Sequence, residues 1–96
     1  MPAIHYRIRW PDASESHCYS PSLAIQDQLS AGADYALAEF LRRVRAATEV
    51  ANERVQAKYG FLCSRANDQL VATEARAALF STLPEARVTV LGFEPA

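Results

Sequence analysis

The chain has little of what most known chemistries need. Its two cysteines, Cys18 and Cys63, are too few for a disulfide scaffold. Its three glycines stand alone at 32, 60 and 92, so no Gly-rich phosphate loop exists. No His-Glu-x-x-His zinc helix, Cys-x-x-Cys pair or nucleophile elbow is present. Two histidines, His5 and His17, leave a conventional catalytic triad little to work with. No apolar run approaches the ~18 residues of a membrane helix, and the N-terminus lacks the basic-then-apolar layout of a signal peptide. Charge of either sign is not in excess: ten basic residues face eleven acidic ones, a net charge of −1. That balance excludes a polybasic arm, an acidic tail and general disorder, and it argues against nucleic acid as a partner. The expectation is a soluble, cytoplasmic protein with no membrane segment and no cofactor or metal.

What the chain does have is enough apolar mass for one core. Half of its 96 residues are hydrophobic, and 18 of those are alanine, leaving about 30 larger side chains. A single domain over residues 1–96 is expected. Lys58 is the one lysine against nine arginines. Arginine and alanine rising together is what a GC-rich genome produces, so an arginine here is weak evidence of anion binding.

Residues 4–10 alternate: Ile4, Tyr6, Ile8 and Trp10 point one way, His5, Arg7 and Arg9 the other. This is a strand with one buried face. Pro11-Asp12-Ala13 is a turn, and Glu15 to Ser20 is a second strand. A three-residue loop pairs Tyr6 with Cys18 and buries the cysteine, but it requires left-handed backbone at Ala13, where glycine is preferred. A two-residue loop puts Cys18 beside Arg7 on the opposite face. The three-residue loop is favoured because Pro-Asp suits a type I turn.

Ser20-Pro21 has the form of a helix start, with Leu23, Ile25 and Leu29 as the apolar members of a short helix near 21–29, at most about two turns, and an irregular segment is the alternative. From about Ala36 to Tyr59, Leu37, Phe40, Leu41, Val44, Ala47, Thr48, Ala51 and Val55 recur at helical spacing, and Gly60 ends the run. On the opposite face Glu39 reaches Arg43, and Arg45 reaches Glu49. Ser64 caps a second, alanine-rich helix running to about Ser81, before Pro84. Arg87 to Phe93 is the last strand, with Val88 and Val90 inward, Gly92 at a bulge, and antiparallel pairing to the first strand. The expected fold is α+β: a two-layer sandwich of order β-β-α-α-β, a three-stranded antiparallel sheet with both long helices on one face.

Two sets of side chains are candidates for function. His5, Arg7, Arg9, His17 and Tyr19 line the outer sheet face and would meet an anion, a small acidic ligand or a partner. The bland alternative is that they merely solvate a half-buried sheet. Cys18 and Cys63 are candidate thiols, with His17 or His5 as base; otherwise they are small buried hydrophobes. Zinc held by His5, His17, Cys18 and Cys63 is disfavoured, because adjacent strand residues 17 and 18 face opposite ways. The Arg42, Arg43 and Arg45 cluster is neutralised by its glutamates.

Four phrases, in order, carry a resemblance: Ile4-His5-Tyr6-Arg7-Ile8-Arg9-Trp10-Pro11-Asp12, then Cys18-Tyr19-Ser20-Pro21-Ser22, then Glu53 through Ala66 with Tyr59-Gly60-Phe61-Leu62-Cys63, and last Arg87-Val88-Thr89-Val90-Leu91-Gly92-Phe93-Glu94. They resemble a small bacterial family of nitrogen-starvation response proteins. The resemblance implies genes lying beside a nitrilase, a radical SAM enzyme, an acetyltransferase-like protein and a flavoprotein. It also implies an accessory role in nitrile-related nitrogen metabolism. It assigns no catalytic residue. One departure stands out: the family tends to have glycine where this chain has Ala13.

The expected function is therefore that of a non-enzymatic accessory protein acting through protein contacts, as a homodimer and with enzymes of a nitrilase-containing cluster. The alternative is a small thiol-dependent enzyme or ligand carrier using Cys18 or Cys63 beside His5, Arg7 and His17.

Overall fold

The alternation of residues 4–10 becomes strand β1, Ile4–Arg9, whose Ile4, Tyr6 and Ile8 are buried while Arg7 and Arg9 are exposed. In the computed structural model, which describes residues 3–60 and 64–95 but not the side chains of 59 and 64–66, six further elements follow. They are β2 (Glu15–Ser20), α1 (Ala24–Gln28), β3 (Asp34–Ala36), α2 (Leu37–Tyr59), α3 (Ser64–Ala78) and β4 (Arg87–Pro95). The class is α+β, as the patterning implied. The sheet, however, has four antiparallel strands and not three, in the order β2-β1-β4-β3.

The extra strand is β3. Gly32, at φ 83°, turns the chain so that its N–H reaches the Val90 carbonyl at 2.8 Å, and the Val90 N–H returns to Ala33 at 2.8 Å. Tyr35 then lies opposite Val88 and packs against the core. Its hydroxyl accepts the Ser30 N–H at 2.9 Å. Three residues are too few to display a period, so only the pairing with β4 defines this strand.

The hairpin takes the three-residue loop. Trp10 N–H donates to Ser14 at 2.8 Å, Ala13 N–H returns to Trp10 at 2.9 Å, and Ala13 sits at φ 70°. Asp12 holds the loop by accepting from both the backbone and the hydroxyl of Ser14. Tyr6 consequently faces Cys18 across the ladder.

β4 carries a bulge. Gly92 pairs with Arg7 but Val90 pairs with Ile8, which leaves Leu91 as the extra residue. The bulge re-phases the strand: Val88 and Val90 face the core before it, and Phe93 packs against the core after it. Had the ladder run unbroken from Val90, Glu94 and not Phe93 would have been aimed inward.

Both long helices lie on the side of the sheet that carries Tyr6, Ile8 and Trp10. Phe40, Val44 and Ala47 of α2 and Ala77 of α3 join that core. Gly60, at φ 77°, closes α2 by donating to Gln56 at 2.8 Å. α3 stops at Ala78, short of the expected Ser81, and its last turn tightens through bonds from Leu79 to Arg76 and Phe80 to Ala77. Leu70 and Phe80 pack inward, whereas Val71 and Leu79 stand exposed.

Two local expectations are corrected. Ser20-Pro21 is not a helix cap. Ser20 ends β2 and its hydroxyl donates to the Ser22 carbonyl at 2.7 Å. Helix α1 starts only at Ala24, whose N–H is taken by the Ser22 hydroxyl. Leu23 is exposed, while Ile25 and Leu29 are buried. Arg45 does not pair with Glu49 but reaches across to Glu74 of α3 at 3.1 Å. The helix-to-helix approach offers a partner that local spacing cannot reveal. Phe61, Leu62 and Cys63, and the side chain of the expected Ser64 cap, fall outside what is described.

Candidate functional site

The five outward residues do gather on one surface. Register places His5 opposite Tyr19, Arg7 opposite His17 and Arg9 opposite Glu15, all on the face away from the helices. The His5 ring meets the Tyr19 ring edge-on, with centroids 5.8 Å apart, and lies 6.2 Å from the His17 ring. His5 also faces Glu94 on its other side, across β4.

The basic character foreseen for this face is tempered by a residue the sequence reading passed over. Glu15 accepts from Arg7 at 3.1 Å and lies 3.6 Å from Arg9. The hydrogen bond from Arg7 holds its carboxyl below the usual range. Glu15 shares the parity of His17 and Tyr19 along β2, so the alternation that placed those two could have placed it as well. The surface is thus an Arg-Glu-Arg row beside a His-His-Tyr cluster, not a bare cationic patch. An open depression of about 270 Å³ lies over Arg7, Glu15, Ser16 and His17.

Cys18 is not on this face. It is 3% exposed and opposes Tyr6 inside the core. Burial pushes its thiol up to about 12, an effect only partly offset by the hydrogen bond with the Tyr6 hydroxyl. Burial likewise raises Tyr6 well above its ordinary value. Cys18 is thus a core side chain turned away from His5 and His17, and its burial favours the protonated thiol over the thiolate a nucleophile needs. Cys63 lies outside the described residues. Among the described residues no group of three His, Cys, Asp or Glu side chains is placed to hold a metal ion.

The enclosed space between sheet and helices, bordered by Tyr6, Ile25, Val44 and Leu70, amounts to about 10 Å³. That is about the room one water needs, far below a ligand pocket. No helix among the described residues is long and apolar enough to cross a membrane.

The arginine cluster of α2 is structural. Glu39 accepts from Arg42 and Arg43. Arg43 also donates to the Gln28 carbonyl at 2.7 Å and lies 5.0 Å from the centroid of the Tyr35 ring. It therefore fastens α1 and β3 to α2 and is not offered to a phosphate.

No curated protein and no solved structure matches the chain. A family model does: that of nitrogen starvation-induced protein NitG, over residues 5–93, a span that takes in the hairpin, both long helices and β4 as far as Phe93. On that match, which covers nearly the whole chain, the protein belongs to the NitG family of nitrogen starvation-induced proteins.

Proposed function

We propose that this NitG-family chain is a non-enzymatic accessory protein of the nitrogen-starvation response, acting through protein contacts as a homodimer. Its partner surface is the uncovered sheet face of His5, Arg7, Arg9, His17 and Tyr19. The observation that carries this reading is the division of the sheet. One face packs under α2 and α3, with about 10 Å³ of space beside Tyr6, Ile25, Val44 and Leu70, while the other presents aromatic rings and paired charges. Such a surface suits a macromolecular partner better than a small substrate. Arginine and aromatic side chains on a rigid sheet are the kind that dominate interface energetics. The enzymes of a nitrilase-containing gene cluster, implied by the family resemblance, are the candidate partners.

The test is capture of those enzymes from nitrogen-limited cells by the tagged chain. Arg7→Glu and Tyr19→Ala variants, folded by circular dichroism, serve as controls. Recovery by the wild type and loss in both variants is expected. Equal recovery by wild type and variants would remove this face from the mechanism, and recovery of none would remove the accessory role.

A further inference from the structure

β2 is an edge strand, and its free side is built in a particular way. In an antiparallel ladder alternate residues turn their N–H and C=O groups away from the partner. The Trp10-to-Ser14 bond and the register set the phase: Ser16, Cys18 and Ser20 bond to β1, so Glu15, His17 and Tyr19 direct their backbone groups outward. At Tyr19 that edge is closed, because its N–H donates to Oε1 of Gln69 on α3 at 3.1 Å. The stretch from Glu15 to His17 is left facing outward.

α3 runs antiparallel along this edge. Gln69 lies at Tyr19, and Arg76 lies at Ser14, to whose hydroxyl it donates at 2.6 Å. The middle of the helical span is therefore beside the middle of the strand, and Ala72 shares an open groove with Ser16 and His17. Ala72 is exposed and has no bulk to hold a neighbouring helix away. Four residues before it is Asp68, exposed; four residues after it is Arg76.

These placements are self-complementary about one two-fold axis. An axis through Ser16 pairs Glu15 with His17 of a second copy, and His17 with that copy's Glu15. Only outward-facing backbone groups are used, and the Gln69-capped Tyr19 stays outside the pairing. Each glutamate then lies beside a histidine across the new ladder. The same axis brings Ala72 onto Ala72 of the second copy, and Asp68 opposite its Arg76 at both ends. Charges that match on a helix and backbone groups that match on a strand, about one centre, are what an isologous interface requires.

We propose that a second copy of this chain adds to the β2 edge, with β2 pairing antiparallel to β2 about Ser16 and α3 packing antiparallel on α3 about Ala72, to form a continuous eight-stranded sheet. This rests on the homodimer proposed above and names its surface. It leaves the outer face of His5, Arg7 and Tyr19 open on both copies, side by side.

The test combines sedimentation over a concentration series with two sets of variants. The wild type should sediment as a dimer. Ala72→Cys in a Cys63→Ser background should form an intermolecular disulfide on oxidation. Asp68→Arg should weaken the dimer at least tenfold, and Asp68→Arg combined with Arg76→Asp should restore it. A wild type that stays monomeric at every concentration overturns both the homodimer and this surface. A dimer in which Ala72→Cys does not cross-link and Asp68→Arg has no effect overturns this surface while leaving a homodimer through another face. The cross-link reads out the geometry even if Arg76→Asp disturbs the hairpin that Arg76 supports.

Discussion

Tyr6 and Cys18 face each other across β1 and β2, and both are almost wholly removed from water. The pair shares a hydrogen bond inside the core, and burial disfavours the charged form of each. Cys18 in a Cys63→Ser variant should therefore resist iodoacetamide under native conditions and react only at the rate of unfolding. Alkylation at the rate of a free thiol would contradict the burial.

The same pair sets a limit at high pH. The folded pKa of Cys18 is raised from 9.0 to about 12, so the fold favours the neutral thiol. Its contribution is whole below about pH 9 and is lost as pH climbs toward 12. Urea midpoints measured across that window should fall more steeply for the wild type than for Cys18→Ala. Parallel slopes would show that the thiol does not ionise on unfolding. At neutral pH Cys18→Ala should cost about 1–2 kcal/mol through the space it leaves.

Ala13 holds a left-handed φ of 70°, where a Cβ is unfavourable. Ala13→Gly should raise stability by about 0.5–1 kcal/mol, the relief of that strain less the extra entropy of a glycine in the unfolded chain. Thermal melts would show the gain. A loss would mean that the loop leans on the Ala13 methyl group.

Trp10 is where the two helices meet the sheet. Its ring stacks on Phe80 at 5.8 Å, meets Phe40 edge-on at 5.9 Å, and donates from Nε1 to Ser16 at 2.7 Å. Phe80→Ala should cost about 3–5 kcal/mol, a large part of the stability of a chain this size. It should also raise hydrogen exchange in α3 before α2. Unchanged exchange in α3 would show that Phe80 does not dock that helix.

Glu39 is held at about 2, chiefly by its hydrogen bond from Arg42 and further by Arg43. Its folded value lies below the ordinary 4.5, so the contribution of its ion pairs is present above that pH and fades as pH falls toward 2. An NMR titration of the Glu39 side chain should give a midpoint well under 4.5 in the wild type, moving up in Arg42→Ala. A midpoint that does not move would assign the shift to another cause.

Much of this fold can be read from residues close together in the chain. The apolar alternation of Ile4, Tyr6 and Ile8, the stripe through Phe40, Val44, Ala47 and Ala51, and the Pro-Asp loop that selects the Tyr6–Cys18 register are all local patterns. β3 was not legible, because Asp34-Tyr35-Ala36 has no period of its own and exists through contacts with residues some fifty positions later. Arg45 met Glu74, not Glu49, for a similar reason: the better partner comes from another helix. At the candidate site the five outward residues were recovered by parity alone. Glu15 obeys the same parity, but its effect on Arg7 and Arg9 is visible only once the strands are side by side.

The register of β1 against β4 sets Ile4 beside Pro95 in the middle of the sheet. Strands far apart in the chain are thus the ones that pair to build the centre, while the hairpin joins near neighbours. A contact so distant in sequence slows folding. Loss of a few residues from β4 would split the sheet at its midline instead of fraying its margin, leaving β1 paired with β2 alone and its other edge open to aggregation.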